Sequence, residues 1–149
     1  MHKENEILIK ASKDVVFETA ADLSRWPRIL PHYQRITYLE RSATRNVVVM
    51  AANRGWMPIR WTSEQKIDRD NYEVRFHHLK SFTKGMKVVW SFRETGEGVR
   101  VRIDHDLVPT IPLVGRFIAE YIIGRFFIHY VAGKTLHHMK LHLEGDHGA

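Results

Sequence analysis

The 149 residues contain no cysteine, which removes a disulfide scaffold, a thiolate metal site and a cysteine nucleophile together. The opening stretch MHKENEILIK lacks the apolar run of about 7–15 residues that marks a secretory signal. An intracellular, cytoplasmic protein is expected, with peripheral contact to a membrane left open. No Gly-rich phosphate loop, dinucleotide fingerprint, nucleophile elbow or HExxH pair occurs, so no cofactor and no metal is expected. Repeats, low-complexity tracts and linkers are missing too, and residues 1–149 are expected to form one domain.

Negative charge is the minority sign: 17 Asp and Glu against 23 Lys and Arg leave a formal charge of +6. Arginines such as Arg93, Arg100 and Arg102 alternate with apolar residues instead of forming a run, which argues against nucleic acid as the partner. An anionic membrane surface fits the charge better. Residues 113–133 have the length of a membrane span. Arg116, Glu120, Arg125 and His129 fall within it, however, and a charge at mid-bilayer costs about 2.5–3.5 kcal/mol.

What is present is a change of period. Residues 5–11 read as a strand, and Ser12 as the N-cap of a short amphipathic helix carrying Val15, Val16, Phe17, Ala20 and Ala21. A second short helical piece covers Asp22–Ile29, interrupted by Pro27 and closed before Pro31. From Gln34 apolar and polar residues alternate, the mark of antiparallel strands with one dry face. Inward sets are Ile36 and Tyr38; Ile59, Trp61, Ser63, Gln65 and Ile67; Tyr72, Val74, Phe76 and His78; Met86, Val88, Trp90 and Phe92; and Val99, Val101, Ile103, His105 and Leu107. Another strand covers Val47–Asn53. Pro109 and Pro112 end the sheet, and a helical period runs from Leu113 to about Leu143.

On that helix Leu136, Met139 and Leu143 mark the inward face, away from Lys134, His138 and His142. Extended upstream at about 100° per residue, the stripe includes Tyr121, Ile122, Arg125, His129 and Ala132. A guanidinium there is costly unless paired or wet: Arg125 either ties the helix to the cavity rim or meets a ligand head group. His129 reads as a satisfied core histidine or a second polar contact. Ile123, Phe127 and Tyr130 fall on the opposite face, a candidate surface for a homodimer or a membrane.

The order of elements, with Ala11-Ser12, Val16-Phe17, Asp22-Leu23-Ser24-Arg25-Trp26-Pro27, Leu30-Pro31, Tyr38-Leu39-Glu40-Arg41, Trp61-Thr62-Ser63-Glu64, Gly98-Val99-Arg100-Val101 and Ile111-Pro112-Leu113, resembles the START/SRPBCC (helix-grip, pollen-allergen-like) superfamily. The resemblance is to its polyketide cyclase/dehydrase and coenzyme Q-binding START-like branch, and it covers essentially the whole chain. It implies an α+β helix-grip fold: a curved antiparallel sheet of about six or seven strands, two short helices, and a long C-terminal helix enclosing a cavity. It also implies a hydrophobic small-molecule ligand such as a lipid, quinone, isoprenoid or polyketide, either carried or cyclised by aldol condensation and dehydration. A protein-interaction module built on the last helix is a further alternative. In the aromatase/cyclases the site holds a tryptophan, a tyrosine and a strand Trp-x-Ser-x-Arg. Trp26, Tyr33, Trp61 and Ser63 match, whereas Gln65 replaces the arginine and removes a cation that would anchor a ketone.

The expected ligand wall is Trp26, Tyr38, Trp61, Gln65, Phe76, Trp90, Phe92, Ile103, Tyr121, Ile122 and His129, largely apolar as small-molecule sites are. If the protein is an enzyme, the expected catalytic groups are Tyr33, Ser63, His78, His105 and Arg125. Histidines titrating near neutrality suit the proton transfers of an aldol step.

Overall fold

The computed structural model describes residues 2–80, 83–107, 117, 121 and 123–145, with backbone alone at 54, 57, 123 and 126–128. The elements are β1 (His2–Ile9), α1 (Lys13–Ala21), a 3-10 turn (Leu23–Arg25), α2 (Trp26–Ile29), β2 (Tyr33–Glu40), β3 (Arg45–Arg54), β4 (Met57–Asp68), β5 (Glu73–His78), β6 (Lys87–Thr95) and β7 (Gly98–Asp106). The last helix follows in two parts, a π-helical stretch (Ile123–Ala132) and α3 (Gly133–Gly145). The seven strands form one sheet in the order β1-β7-β6-β5-β4-β3-β2, every neighbouring pair antiparallel. This is the α+β helix-grip architecture.

The sequence sets the boundaries by local chemistry. The Ser12 hydroxyl accepts from the Val15 N–H at 3.3 Å and caps α1. Pro27 stands in the first turn of α2, where its missing N–H costs nothing. It therefore opens a helix instead of interrupting one. β1 starts three residues before the expected position and stops at Ile9, because it pairs residue for residue with β7 from His2↔Asp106 to Ile9↔Val99.

Alternation gives the correct dry face on β4, β5, β6 and β7: Trp61, Ser63, Gln65, Val74, Phe76, His78, Val88, Trp90, Phe92, Val101, Ile103 and His105 are all buried. The wet face spends its basic residues on cross-strand ion pairs. Arg45 meets Glu64 at 2.6 Å, Arg100 meets Glu6 at 2.8 Å and Arg102 meets Glu4 at 2.6 Å. Such exposed pairs add little stability, but they show where the arginines of the alternating strands are used.

Gly98 starts β7 at φ +150°, and a Cβ there would lie 2.6 Å from the Ile9 carbonyl oxygen. Only glycine admits both the backbone angle and the approach of β1. Gly98→Ala is expected to cost about 3 kcal/mol through overpacking and backbone strain. A thermal melt checks this, and an unchanged midpoint would show that β1 can move aside.

The last helix departs from the expected phase. Leu136, Met139 and Leu143 are buried and Lys134 is exposed, as the α-helical period requires. Arg125 and His129 are exposed, not core-facing, and Tyr121 is 65% exposed. The cause is the i→i+5 ladder of Ile123–Ala132, whose turns take in more residues than an α turn. A 100° extrapolation from α3 back through that stretch accumulates a phase error. Tyr130, expected outward, is half-buried against the core, its ring centroid 6.3 Å from that of His32. His138, also expected outward, is half-buried with its ring 6.4 Å from His32. Ile122 and the side chains of Ile123 and Phe127 lie outside the described residues.

Candidate functional site

A cavity lies between the concave face of the sheet and the last helix. α2 contributes Trp26, the start of β2 Tyr33, and β3 and β4 Met50 and Trp61. Phe76 and His78 come from β5, Met86, Val88 and Trp90 from β6 and the residue before it, and Ile103 and His105 from β7. Val131, Ala132 and Thr135 close it from the helix. The cavity volume is about 50 Å³, room for a few waters at about 10–15 Å³ each.

The aromatic part of the wall is continuous. Trp26 meets Tyr33 edge-on with centroids 5.1 Å apart, and Trp90 at 5.7 Å. Tyr33 in turn meets Trp61 at 6.0 Å. Such edge and tilted contacts suit ring quadrupoles and keep the rings from collapsing flat. The indole N–H of Trp26 donates to the Thr19 carbonyl at 3.3 Å, leaving its ring to the cavity.

The polar part is neutral at pH 7. His78 is hydrogen-bonded through Nδ1 to the Thr83 hydroxyl at 2.9 Å and lies parallel to the Trp61 ring. Burial, then the neighbouring His105 and His77, pushes its pKa down to about 3. His105 falls to about 4 because burial outweighs the opposing pull of Asp104 and Asp106. Its Nδ1 is buried with no hydrogen-bond partner among the described residues. A bare lone pair is a cheaper orphan than a buried N–H, which puts the proton on Nε2. Burial raises the Tyr33 phenol far above its usual range, with the Thr135 hydroxyl pulling the other way.

Thr135 also organises a residue behind the wall. Its hydroxyl donates to the Val131 carbonyl at 2.7 Å, so toward His32 Nε2, 2.9 Å away, it can only accept. His32 is thereby fixed as the Nε2–H tautomer, and burial holds its pKa at about 4. This bond ties the α2–β2 connection to α3 across the cavity rim.

Eight expected site residues line this one cavity: Trp26, Tyr33, Trp61, Phe76, His78, Trp90, Ile103 and His105. Four others face inward but serve elsewhere. Gln65 is fully buried, donating to the Ala21 carbonyl at 3.0 Å and accepting from Asn46 Nδ2 at 2.9 Å. It fastens the end of α1 to the sheet and does not reach the cavity. Ser63 donates to the His77 carbonyl at 3.2 Å. Phe92 packs under α1 against Phe17, centroids 5.2 Å apart. Tyr38 is half-buried with the Arg41 guanidinium 4.2 Å over its ring. The exposed Arg125, His129 and Tyr121 are not part of the wall.

The sequence reading missed Met50, Thr135 and His32. Met50 follows from the alternation Val48, Met50, Ala52, and Thr135 stands one turn before Met139 on the buried face. Nothing in the sequence marks His32.

No carboxylate, lysine or arginine among the described residues lines the cavity. Among those residues the grouping with metal-like spacing is His2, Glu4 and Asp104, away from the cavity and already tied into ion pairs with Arg102. No helix among them is long and apolar enough to cross a membrane.

Residues 9–126 match the family described as "Polyketide cyclase / dehydrase and lipid transport". Two Streptomyces proteins bearing the name "Putative polyketide cyclase" are similar along much of the chain. That of Streptomyces cyaneus is 32% identical over 108 residues, 70% of this chain and 71% of its own. That of Streptomyces halstedii is 33% identical over 107 residues, 68% of this chain and 95% of its own. Among solved structures, the Zhui aromatase/cyclase of Streptomyces sp. R1128 superposes with a TM-score of 0.77 at 18% identity, covering 97% of this chain and 96% of that one. A START superfamily protein of Mycobacterium smegmatis gives 0.67 at 14% identity, covering 97% and 94%. At those identities the likeness is one of fold.

Proposed function

The chain belongs to the polyketide cyclase / dehydrase and lipid transport family, and from that membership we propose that it binds and carries a hydrophobic small molecule, a lipid, quinone, isoprenoid or polyketide, in the cavity under the last helix. The observation that carries this reading is the wall itself, three tryptophans with Tyr33 and Phe76 and, among the described residues, no ionised group. A ring system or acyl chain can lie on those faces without stripping water from a charge. His105 offers a carbonyl or hydroxyl of the ligand a directed hydrogen bond, while Thr135, whose hydrogen goes to the Val131 carbonyl, can only accept from a ligand hydroxyl.

The space is small for such a cargo, so loading requires the wall to yield. Met50 and Met86, unbranched and soft, are the side chains best suited to move.

Aldol cyclisation is the second reading, favoured by Tyr33, His78 and His105 around one cavity. A neutral imidazole can take a proton from carbon beside a ketone. The oxyanion then needs a cation or strong donor, yet Gln65 is committed to Ala21 and Asn46 and Arg125 is exposed. That contrast supports carriage over catalysis.

Titration with a naphthoquinone, read by quenching of tryptophan emission, tests the reading. Saturable binding is expected, with a loss of roughly tenfold or more in Ala132→Phe, which fills the cavity. Binding indifferent to that substitution would place the ligand elsewhere. Altered products on adding the protein to a polyketide-forming extract would favour the cyclase instead.

A further inference from the structure

Three of the four tryptophans face the cavity, and the fourth does not. Trp56 stands in the turn between β3 and β4 and is 91% exposed. A tryptophan so placed stabilises nothing inside the fold, and its position relative to the rest of the molecule is informative.

The strand register defines two ends of the sheet. His2 pairs with Asp106, Asp106 with Lys87 and His77 with Lys87; Tyr33 pairs with Ala52 and Arg54 with Met57. One end therefore gathers the β3–β4 turn, the β5–β6 connection and the start of β2. The last helix finishes at the other end, where Lys140 Nζ donates to the Leu8 carbonyl at 2.6 Å and Glu144 accepts from the Lys10 N–H at 2.7 Å. Its beginning at Ile123 therefore lies toward the first end, and Phe117 and Tyr121 precede it in the chain. Those two rings are 66% and 65% exposed.

The same end carries the exposed lysines Lys80, Lys84 and Lys87. Among the described residues its acidic side chains are already engaged: Glu4 and Asp104 by Arg102, and Asp106 by His2 at 2.6 Å. The cavity also sits toward this end, since Tyr33 opens β2 and His78 closes β5.

We propose that this end is a docking face for an anionic lipid surface, with Trp56, Phe117 and Tyr121 entering the headgroup region and Lys80, Lys84 and Lys87 meeting the lipid charge. Tryptophan and tyrosine favour that interface because each has an apolar ring and a polar tip. Trp56 stands on a hairpin tip and Phe117 and Tyr121 come before the last helix, separate stretches of chain that a deformable plane can meet together. A folded partner would have to supply a matching pocket for each. The excess of positive charge, +6 over the chain, adds long-range attraction. The purpose of docking, delivery of a cargo into the cavity, rests on the carriage reading, whereas docking itself can be measured without any ligand.

Sedimentation of the full chain with vesicles tests this, comparing phosphatidylcholine alone with phosphatidylcholine containing about 30% phosphatidylglycerol at low and high salt. Anionic vesicles are expected to bind roughly tenfold more tightly, and salt to weaken them. Trp56→Ser, and separately Phe117→Ser with Tyr121→Ser, should each weaken binding about fivefold or more with thermal melts unchanged. Lys80→Glu with Lys84→Glu should abolish the preference for anionic lipid. Brominated acyl chains should quench wild-type emission and lose that part of the quenching in Trp56→Phe. Absence of binding at low salt, or binding undiminished by Trp56→Ser, overturns the proposal. So does a Trp56-dependent dimer seen by light scattering without vesicle binding, which would assign the face to a second copy. Failure of docking would leave naphthoquinone binding untouched, and the reverse also holds.

Discussion

Acidified from pH 7, the protein is expected to lose its cooperative fold between about pH 5 and pH 4, driven by the buried imidazoles. The folded state holds His78 at about 3 and His105 at about 4, against 6.5 for an ordinary imidazole. Below pH 6.5 the unfolded chain takes up protons that the folded chain refuses. Stability is therefore complete above that pH and drains away as pH falls, until the folded groups titrate at about 4 and 3. At about 1.4 kcal/mol for each unit between the two states, the pair accounts for on the order of 5–10 kcal/mol. That is comparable with the whole stability of a domain. His32, held at about 4 by burial, acts in the same direction. His105→Phe is the informative variant, because the Nδ1 it removes has no partner to lose. It should leave stability at pH 7 nearly unchanged and gain about 2 kcal/mol over the wild type at pH 5. Denaturant titrations at the two pH values measure this, and equal curves at pH 5 would mean that His105 titrates freely.

Gln65→Arg is expected to destabilise the protein by about 3–5 kcal/mol, enough to lower the melting temperature by roughly ten degrees. The substitution restores the arginine that the aromatase/cyclase pattern carries at this position. Here the side chain is fully buried and works as both donor and acceptor, to Ala21 and from Asn46. Arginine has only donors, so the Asn46 amide would lose its acceptor while a guanidinium is buried beside no carboxylate among these partners. Asn46→Asp in the same chain supplies the missing charge and should recover a large part of the loss. Denaturant midpoints of the two variants decide the matter. Full stability in Gln65→Arg alone would mean that the arginine escapes into the cavity, where it could anchor a ketone.

The sheet was legible in the sequence because its period is two and admits no drift: choosing one inward residue per strand fixes all the rest. That is why Trp61, Phe76, His78, Trp90 and His105 were placed correctly. Which inward residues meet open space is a different matter. Phe92 and Gln65 sit under α1, and Ile103 sits under the last helix; only the packing of those helices separates core from cavity wall. Alternation carries no information about that packing. The helix misled for a related reason. Leu136, Met139 and Leu143 defined the buried face of α3 correctly, but no residue between Ile123 and Ala132 announces an i→i+5 ladder. The phase of Arg125 and His129 was lost there.

That ladder also bears on which insertions and deletions the chain can absorb. Removing one residue from β4 would turn Trp61 outward and carry every following side chain to the wrong face. Removing one between Ile123 and Ala132 could instead be taken up by converting a π turn to an α turn, with the helical hydrogen bonds re-formed one position shorter. Val131, Ala132 and Thr135 would keep their places over the cavity, while the start of the stretch at Ile123 rotated about the helix axis. The stretch is thus slack in the chain, where a change of length re-aims the helix start without reshaping the cavity it precedes.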